Sequence, residues 1–192
     1  MQGAEEDEPV SAAARGEHWA QEQLFIRYWP VLLDYYRSVG WGDVAEDLTM
    51  TVWSSLLAGG LRRFRGGSER EFRMLLFTVA HRRLVDHQRH GMRRPATPSS
   101  HETFDGHEAS GVGADPALVV EALQDADDVV RFLRRILPPA QAEVVHLRVI
   151  AGFTVGEIAR IVARSPNAVS MLLGRALARL GDALSGEGTE AS

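Results

Sequence analysis

The sequence predicts an all-α protein built as two small helical domains joined by a flexible linker. Three observations carry that expectation. Apolar residues recur at helical spacing in two long blocks, as in Leu24, Tyr28, Val31, Leu32 and Tyr35, or Leu48, Val52 and Leu56. Neither block carries a β-strand pattern or an internal repeat. Between them lies a stretch rich in Pro, Ser, Gly, His and acids, nearly empty of large apolar side chains.

The elements follow in order. Residues 1–16 are acidic, alanine-rich and aperiodic, which predicts a loose, disordered tail. The first helical domain is assigned to residues 17–94. Gly40-Trp41-Gly42 breaks its first long helix, and Asp43 with Glu46 three residues on reads as the next helix start. Further breaks fall at Gly59-Gly60 and at Gly66-Gly67-Ser68. Ser68 and Glu71 then open a helix that should run to about Gly91. Residues 95–116 are the linker, residues 117–184 the second domain, and residues 185–192 a disordered tail.

The sharpest local signal spans Phe153 to Leu180. Thr154 and Glu157 form a capping box before a short helix from Val155 to about Val162. After a brief turn, Ser165 serves as N-cap and Pro166 as the first residue of a second helix. Two helices so closely joined, the first one brief, form a helix-turn-helix pattern, whose second helix reads DNA with its N-terminal end. The candidates for that task are Arg164, Ser165, Asn167, Ser170 and Met171, with Arg175 further along.

A net charge of −5 and a pI near 5.8 look wrong for a nucleic-acid binder, but the average conceals a pattern. All 21 basic side chains are arginines. Residues 61–94 hold ten of them against Glu69, Glu71 and Asp86; residues 101–128 hold eight acids and no arginine. In residues 129–181 eight arginines face only Glu143 and Glu157. Two basic blocks around an acidic spacer suggest two surfaces for a polyanion. Cysteine is absent, so disulfides and thiolate metal sites are excluded. Apolar runs are too short to span a bilayer, and the Glu5–Glu8 acidic start is the opposite of a signal peptide, so a cytoplasmic protein without membrane insertion is expected.

The run from Leu137 to Arg148, with Gly152, Glu157-Ile158-Ala159, Val169 and Arg175-Ala176, closely resembles region four of the sigma-70 family over about residues 129–180. Phe25 to Leu57, including Ala45-Glu46-Asp47-Leu48 and Val52-Trp53, resembles the start of region two. Phe64 to Ser68, Glu71-Phe72-Arg73, Leu76-Phe77, Val79-Ala80 and Leu84 to His87 continue that likeness through the promoter-opening segment. With no third region between, the arrangement is similar to the extracytoplasmic-function (ECF) subgroup. The resemblance implies a sigma factor that binds core RNA polymerase and promoter DNA and is held inactive by an anti-sigma factor.

By that resemblance Asp47, Leu48, Thr51 and Trp53 dock onto the polymerase, although Trp53 fits a core position equally well. Phe64, Arg65, Ser68, Arg70, Arg73, Phe77, His81, Arg82 and Arg83 would capture and support the minus-ten strand. Glycine lets a backbone approach a displaced strand, and arginine suits both phosphate forks and base stacking. Phe72 reads as core. The second helix of the helix-turn-helix would contact the minus-thirty-five element.

The sequence departs from the family at Met50 and Thr51, where Gln-Glu is usual, at Leu75 in place of Trp, and at Arg82 in place of Asn. Ala168-Val169-Ser170-Met171-Leu172 replaces a more basic run, so upstream DNA should be gripped weakly or differently, and Leu172 and Leu173 could face a protein partner instead. The histidines His81, His87 and His90 near Asp86 raise an enzyme or metal reading. Without a zinc-hydrolase motif, a thiolate, a nucleotide loop or a nucleophile elbow, no catalytic residue, cofactor or metal is expected. The competing reading is a helix-turn-helix regulator or sigma-like interaction protein that does not itself initiate transcription.

Overall fold

The structure, a computed structural model, describes residues 2–92 and 126–187. The linker at 95–116, the start of the second domain at 117–125 and residues 188–192 lie outside them. The regular secondary structure of the described residues is helical, with no strand among them.

Helix α1 spans Gln2–Arg15 and corrects the expectation of a loose tail. Val10, Ala12 and Ala13 are fully buried, and the small side chains let α1 pack closely on α2 (His18–Ser38), with further contacts to α4 and α5. Gly16, at φ +94°, turns the chain between α1 and α2 in a left-handed conformation that favours glycine. Along α2 the buried residues Ala20, Leu24, Tyr28 and Leu32 repeat every four positions, so one face is core.

After α2 a single 3₁₀ turn, Gly42–Val44, leads into α3 (Ala45–Ser55). No side chain caps α3, so Asp43 does not cap it: Asp43 lies inside the preceding 3₁₀ turn, and Val44 takes the N-cap position. A π turn at Leu56–Gly60, opened by Gly59 at φ +141°, joins α3 to the short α4 (Leu61–Arg63). The loop of residues 64–68 then leads to α5, Glu69–Met92.

The second half comprises α6 (Ala126–Ile136), α7 (Pro139–Val145) with a π turn at His146–Ile150, α8 (Val155–Ile161) and α9 (Pro166–Glu187). Helix α9 runs three residues into the segment expected to be a disordered tail. Both predicted caps are present: Thr154 and Glu157 form the complete box, and Ser165 Oγ accepts from the Ala168 amide at 3.2 Å.

The two halves do not sit apart. One buried cluster joins Tyr35, Phe72 and Phe77 of the first half to Val144, Leu147, Phe153 and Ile158 of the second. Phe77 meets Phe153 edge-on, with ring centroids 5.6 Å apart. Burying a phenylalanine contributes about 2–3 kcal/mol, so apolar packing alone gives this seam substance. A smaller core, including Leu133, Leu137, Val145, Ala176 and Leu180, holds the second half together. No described helix is long and apolar enough to cross a membrane.

Candidate nucleic-acid interface

The loop between α4 and α5 is held from within. The amides of Gly67 and Ser68 donate to Glu71 Oε2 at 3.0 and 3.2 Å, and Ser68 Oγ donates to the same oxygen at 2.9 Å. Glu71 N–H returns a bond to Ser68 Oγ at 3.3 Å, completing the predicted start of α5. These bonds, the Ser68 amide first, pull the Glu71 carboxyl below the usual carboxylate range. A Cβ at Gly66 would lie 2.5 Å from the Phe64 ring, so only glycine lets the loop fold over that ring. Phe64 is half-buried, its centroid 6.5 Å from that of Phe72. Arg62, Arg63 and Arg65 are exposed, and Arg65 is steadied by donation to the Arg62 carbonyl at 3.0 Å.

Helix α5 carries the rest of the predicted minus-ten set, and much of it meets the second half. Arg70 forks onto Glu157, Nε to Oε1 at 2.8 Å and Nη2 to Oε2 at 2.6 Å. Arg73 donates to the Ala151 carbonyl, and its guanidinium lies 5.4 Å from the Phe153 ring centroid. His81 Nδ1 is 2.7 Å from Glu143 Oε1, an oxygen that also accepts from the Tyr35 hydroxyl. Beside them Ser38 Oγ and His146 Nδ1 are 3.1 Å apart. Arg82 is exposed and, with His81, Arg89 and Arg164, lines an open cleft between the halves.

Two members of the set need correction. Phe77 is fully buried among Tyr35, His146 and Phe153, so it is a core residue. Arg83 turns towards α3 and donates to Ser55 Oγ at 2.6 Å. Glu143 and Glu157 are the only acids of residues 129–181; the sequence assigns Glu157 to the cap of α8 but gives neither a partner in the first half. Their scarcity among eight arginines was the available signal.

On α3 the predicted docking residues divide. Leu48 is buried, and Trp53 is 1% exposed against Phe25, so both belong to the core. Asp47 and Thr51 are exposed, with Thr51 Oγ1 donating to the Asp47 carbonyl at 2.8 Å. Beside them stand two exposed apolar residues not among the predicted docking set, Met50 on α3 (51% exposed) and Leu57 in the π turn that continues it (48% exposed).

In the helix-turn-helix, Ala163 at φ +52° makes the turn. Arg164, Ser165, Asn167 and Ser170 are exposed, Ser165 being engaged as the cap of α9. Met171 and Arg175 are half-buried. Leu172 and Leu173 pack against this chain's own core, which corrects the idea that they face a protein partner. His87 lies edge-on to Trp41 at 5.0 Å, and His81 Nδ1 is engaged by Glu143.

Residues 135–180 match the family model of sigma-70 region 4. The ECF RNA polymerase sigma factor SigD of Mycobacterium tuberculosis is 30% identical over 189 residues, covering 95% of this chain and 85% of that protein. BldN of Streptomyces coelicolor, another ECF RNA polymerase sigma factor, is 32% identical over 177 residues, covering 90% of this chain and 63% of that protein. Among solved structures, CnrH in complex with the cytosolic domain of CnrY superposes with a TM-score of 0.61 at 21% identity, covering 94% of this chain and 97% of that one. RpoE in complex with the anti-sigma factor NepR from Bartonella quintana gives 0.60 at 22% identity, covering 85% and 96%. The shared fold, the region 4 match and a likeness that runs along nearly the whole chain lead to one family: this protein is an ECF RNA polymerase sigma factor.

Proposed function

We propose that the chain brings core RNA polymerase to promoters and opens them at the minus-ten element through its first half. The observation that carries this is the internally bonded, glycine-closed loop of residues 64–68, placed between exposed arginines and the start of the basic helix α5. Opening a duplex requires holding an unstacked base, and a loop already fixed in shape loses little freedom on doing so. Phe64, Arg65 and Ser68 form that holding loop. Arg70, Arg73, His81 and Arg82 follow along α5 as the path for the displaced strand.

Polymerase docking is assigned to the exposed face of α3. Asp47 and Thr51 supply polar contacts, while Met50 and, in the π turn that follows, Leu57 supply the apolar area that a helical partner needs. Upstream contact with the minus-thirty-five element falls to Arg164, just before α9, and to Asn167 and Ser170 in its first turns. A surface with so few cations contributes modest affinity. CnrH and RpoE were each solved with a protein bound, in the second case an anti-sigma factor, and a comparable protein regulator fits this chain.

Runoff transcription with core polymerase tests the reading. A promoter-specific transcript that depends on added protein is expected. DNA binding without any such transcript, across templates drawn from the native genome, would favour a regulator that does not initiate.

A further inference from the structure

The open cleft where α5 meets the turn before α9 has a volume of about 510 Å³ and is lined from both halves. Small molecules are ordinarily held in cavities of roughly 300–1,000 Å³. Arg82 and Arg89 line it from α5, seven residues and two helical turns apart on one face. Arg164 lines it from the second half, where Ala163 at φ +52° turns the chain and the Arg164 amide is fixed to the Ala159 carbonyl at 3.0 Å.

Other arginines of the chain are already engaged: Arg27 by Glu69, Arg70 by Glu157, Arg73 by the Ala151 carbonyl and Arg83 by Ser55. Among the described residues none hydrogen-bonds to, or pairs with, the guanidiniums of Arg82, Arg89 and Arg164. The acid on the lining, Asp86, stands 3.9 Å from Arg83 Nη1, and one shared carboxylate does not neutralise three guanidiniums. Val85 and Val162 give the same cleft an apolar wall.

We propose that this cleft binds a small molecule carrying two or more linked phosphates, one molecule per chain, held by Arg82, Arg89 and Arg164. Guanidinium forks match phosphate oxygens, and linked phosphates can meet cations carried on different elements, where a single phosphate would meet fewer. Nucleoside triphosphates and inorganic polyphosphate share this chemistry; the valine wall suits the ring of a nucleotide. The inference is independent of the promoter reading. Arg89 has no task in that reading, and a ligand this small needs Arg89 and Arg164 together only if it sits in the cleft between the halves.

The full chain is titrated with GTP, ATP and inorganic tripolyphosphate by calorimetry, in low-salt buffer without divalent metal. One-to-one binding is expected. Arg89→Gln and Arg164→Gln should each weaken it about tenfold, the loss of one charge-assisted hydrogen bond. Arg179→Gln alters an exposed arginine outside the cleft and should leave affinity unchanged. The ligand should also raise the melting temperature of the parent chain, and less so that of the two cleft variants. GTP or ATP binding more tightly than tripolyphosphate identifies a nucleotide as the ligand; tripolyphosphate binding as well or better identifies the phosphate chain itself. No binding by any of the three, a loss confined to the arginine of one half, or an equal loss in Arg179→Gln overturns the site, with circular dichroism confirming that each variant is folded.

Discussion

Arg70 and Glu157, 87 positions apart in the chain, form a two-pronged ion pair across the seam while Glu157 also caps α8. Glu157 Oε2 accepts from the Thr154 amide and hydroxyl, each at 2.8 Å. The Arg70 hydrogen bonds, followed by those from Thr154, outweigh burial and hold the carboxyl down at about 2. The two roles separate by substitution. Glu157→Gln keeps an oxygen for the cap and loses only a half-exposed ion pair, a change of about 0–1 kcal/mol. Glu157→Ala loses the cap as well, about 1 kcal/mol more. Urea unfolding of both variants checks the difference; equal losses would contradict the double role.

Tyr35 and His81 share one acceptor, Glu143 Oε1, in the buried part of the seam. Burial first, then the charge of Glu143, raises the Tyr35 hydroxyl well above its ordinary range, so it stays a donor at any physiological pH. Tyr35→Phe removes that donor from a largely buried carboxylate and should destabilise the chain by about 1–3 kcal/mol. Denaturant midpoints measure it. A loss under half a kilocalorie, roughly the lower end for an ordinary hydrogen bond, would mean that water reaches Glu143.

Acid should weaken the fold in two windows. Burial lowers His146 from its usual 6.5 to about 3, so the folded chain keeps the ring neutral while the unfolded chain protonates it. Its stabilising contribution is therefore full above pH 6.5 and falls as pH drops towards 3, by at most about 1.4 kcal/mol per unit. Glu157 acts lower: its contribution is present above 4.5 and is lost as pH falls through about 2. Melting temperature against pH should decline from 6.5 downward, and His146→Gln should flatten the stretch between 6.5 and 4.5. An unaltered slope in that variant would assign the decline elsewhere.

What was legible in the sequence was local. Ser68 with Glu71, Thr154 with Glu157, and Ser165 before Pro166 announce helix starts because cap and partner sit three residues apart. The seam had no such signal, since its partners are 62 to 108 positions apart and leave no periodic trace. Residues 1–16 misled for another reason. Their alanines read as filler, yet small side chains such as Ala12 and Ala13 are what allow a close helix contact. On α3 apolar residues occur on both faces, so periodicity found the helix without saying whether Trp53 or Met50 looks inward.

That division on α3 yields a paired test. Met50→Asp and Leu57→Asp alter exposed positions and should shift stability by only about 0.5 kcal/mol while weakening polymerase binding. Trp53→Ala empties a buried site against Phe25 and should destabilise the fold by about 3–5 kcal/mol. Co-purification with core polymerase and thermal melting separate the cases. Normal polymerase binding by both aspartate variants would move the docking surface off this face.

Upstream DNA is met by few cations, and that sets the last expectation. In the first turns of α9 the exposed polar side chains are Asn167 and Ser170, with Arg164 just before the helix. A single phosphate contact from Arg164 contributes about one unit to the slope of log affinity against log salt. Arg164→Gln should reduce that slope by about one and depress transcription only from templates that keep their upstream element. Arg65→Gln, in the holding loop, should depress transcription with or without that element. Adding a cation tests the converse. Ser170→Arg, at an exposed position, should strengthen upstream dependence if the sparse surface limits binding. If Ser170→Arg changes nothing while Arg164→Gln abolishes activity on every template, α9 acts through the protein seam rather than through DNA.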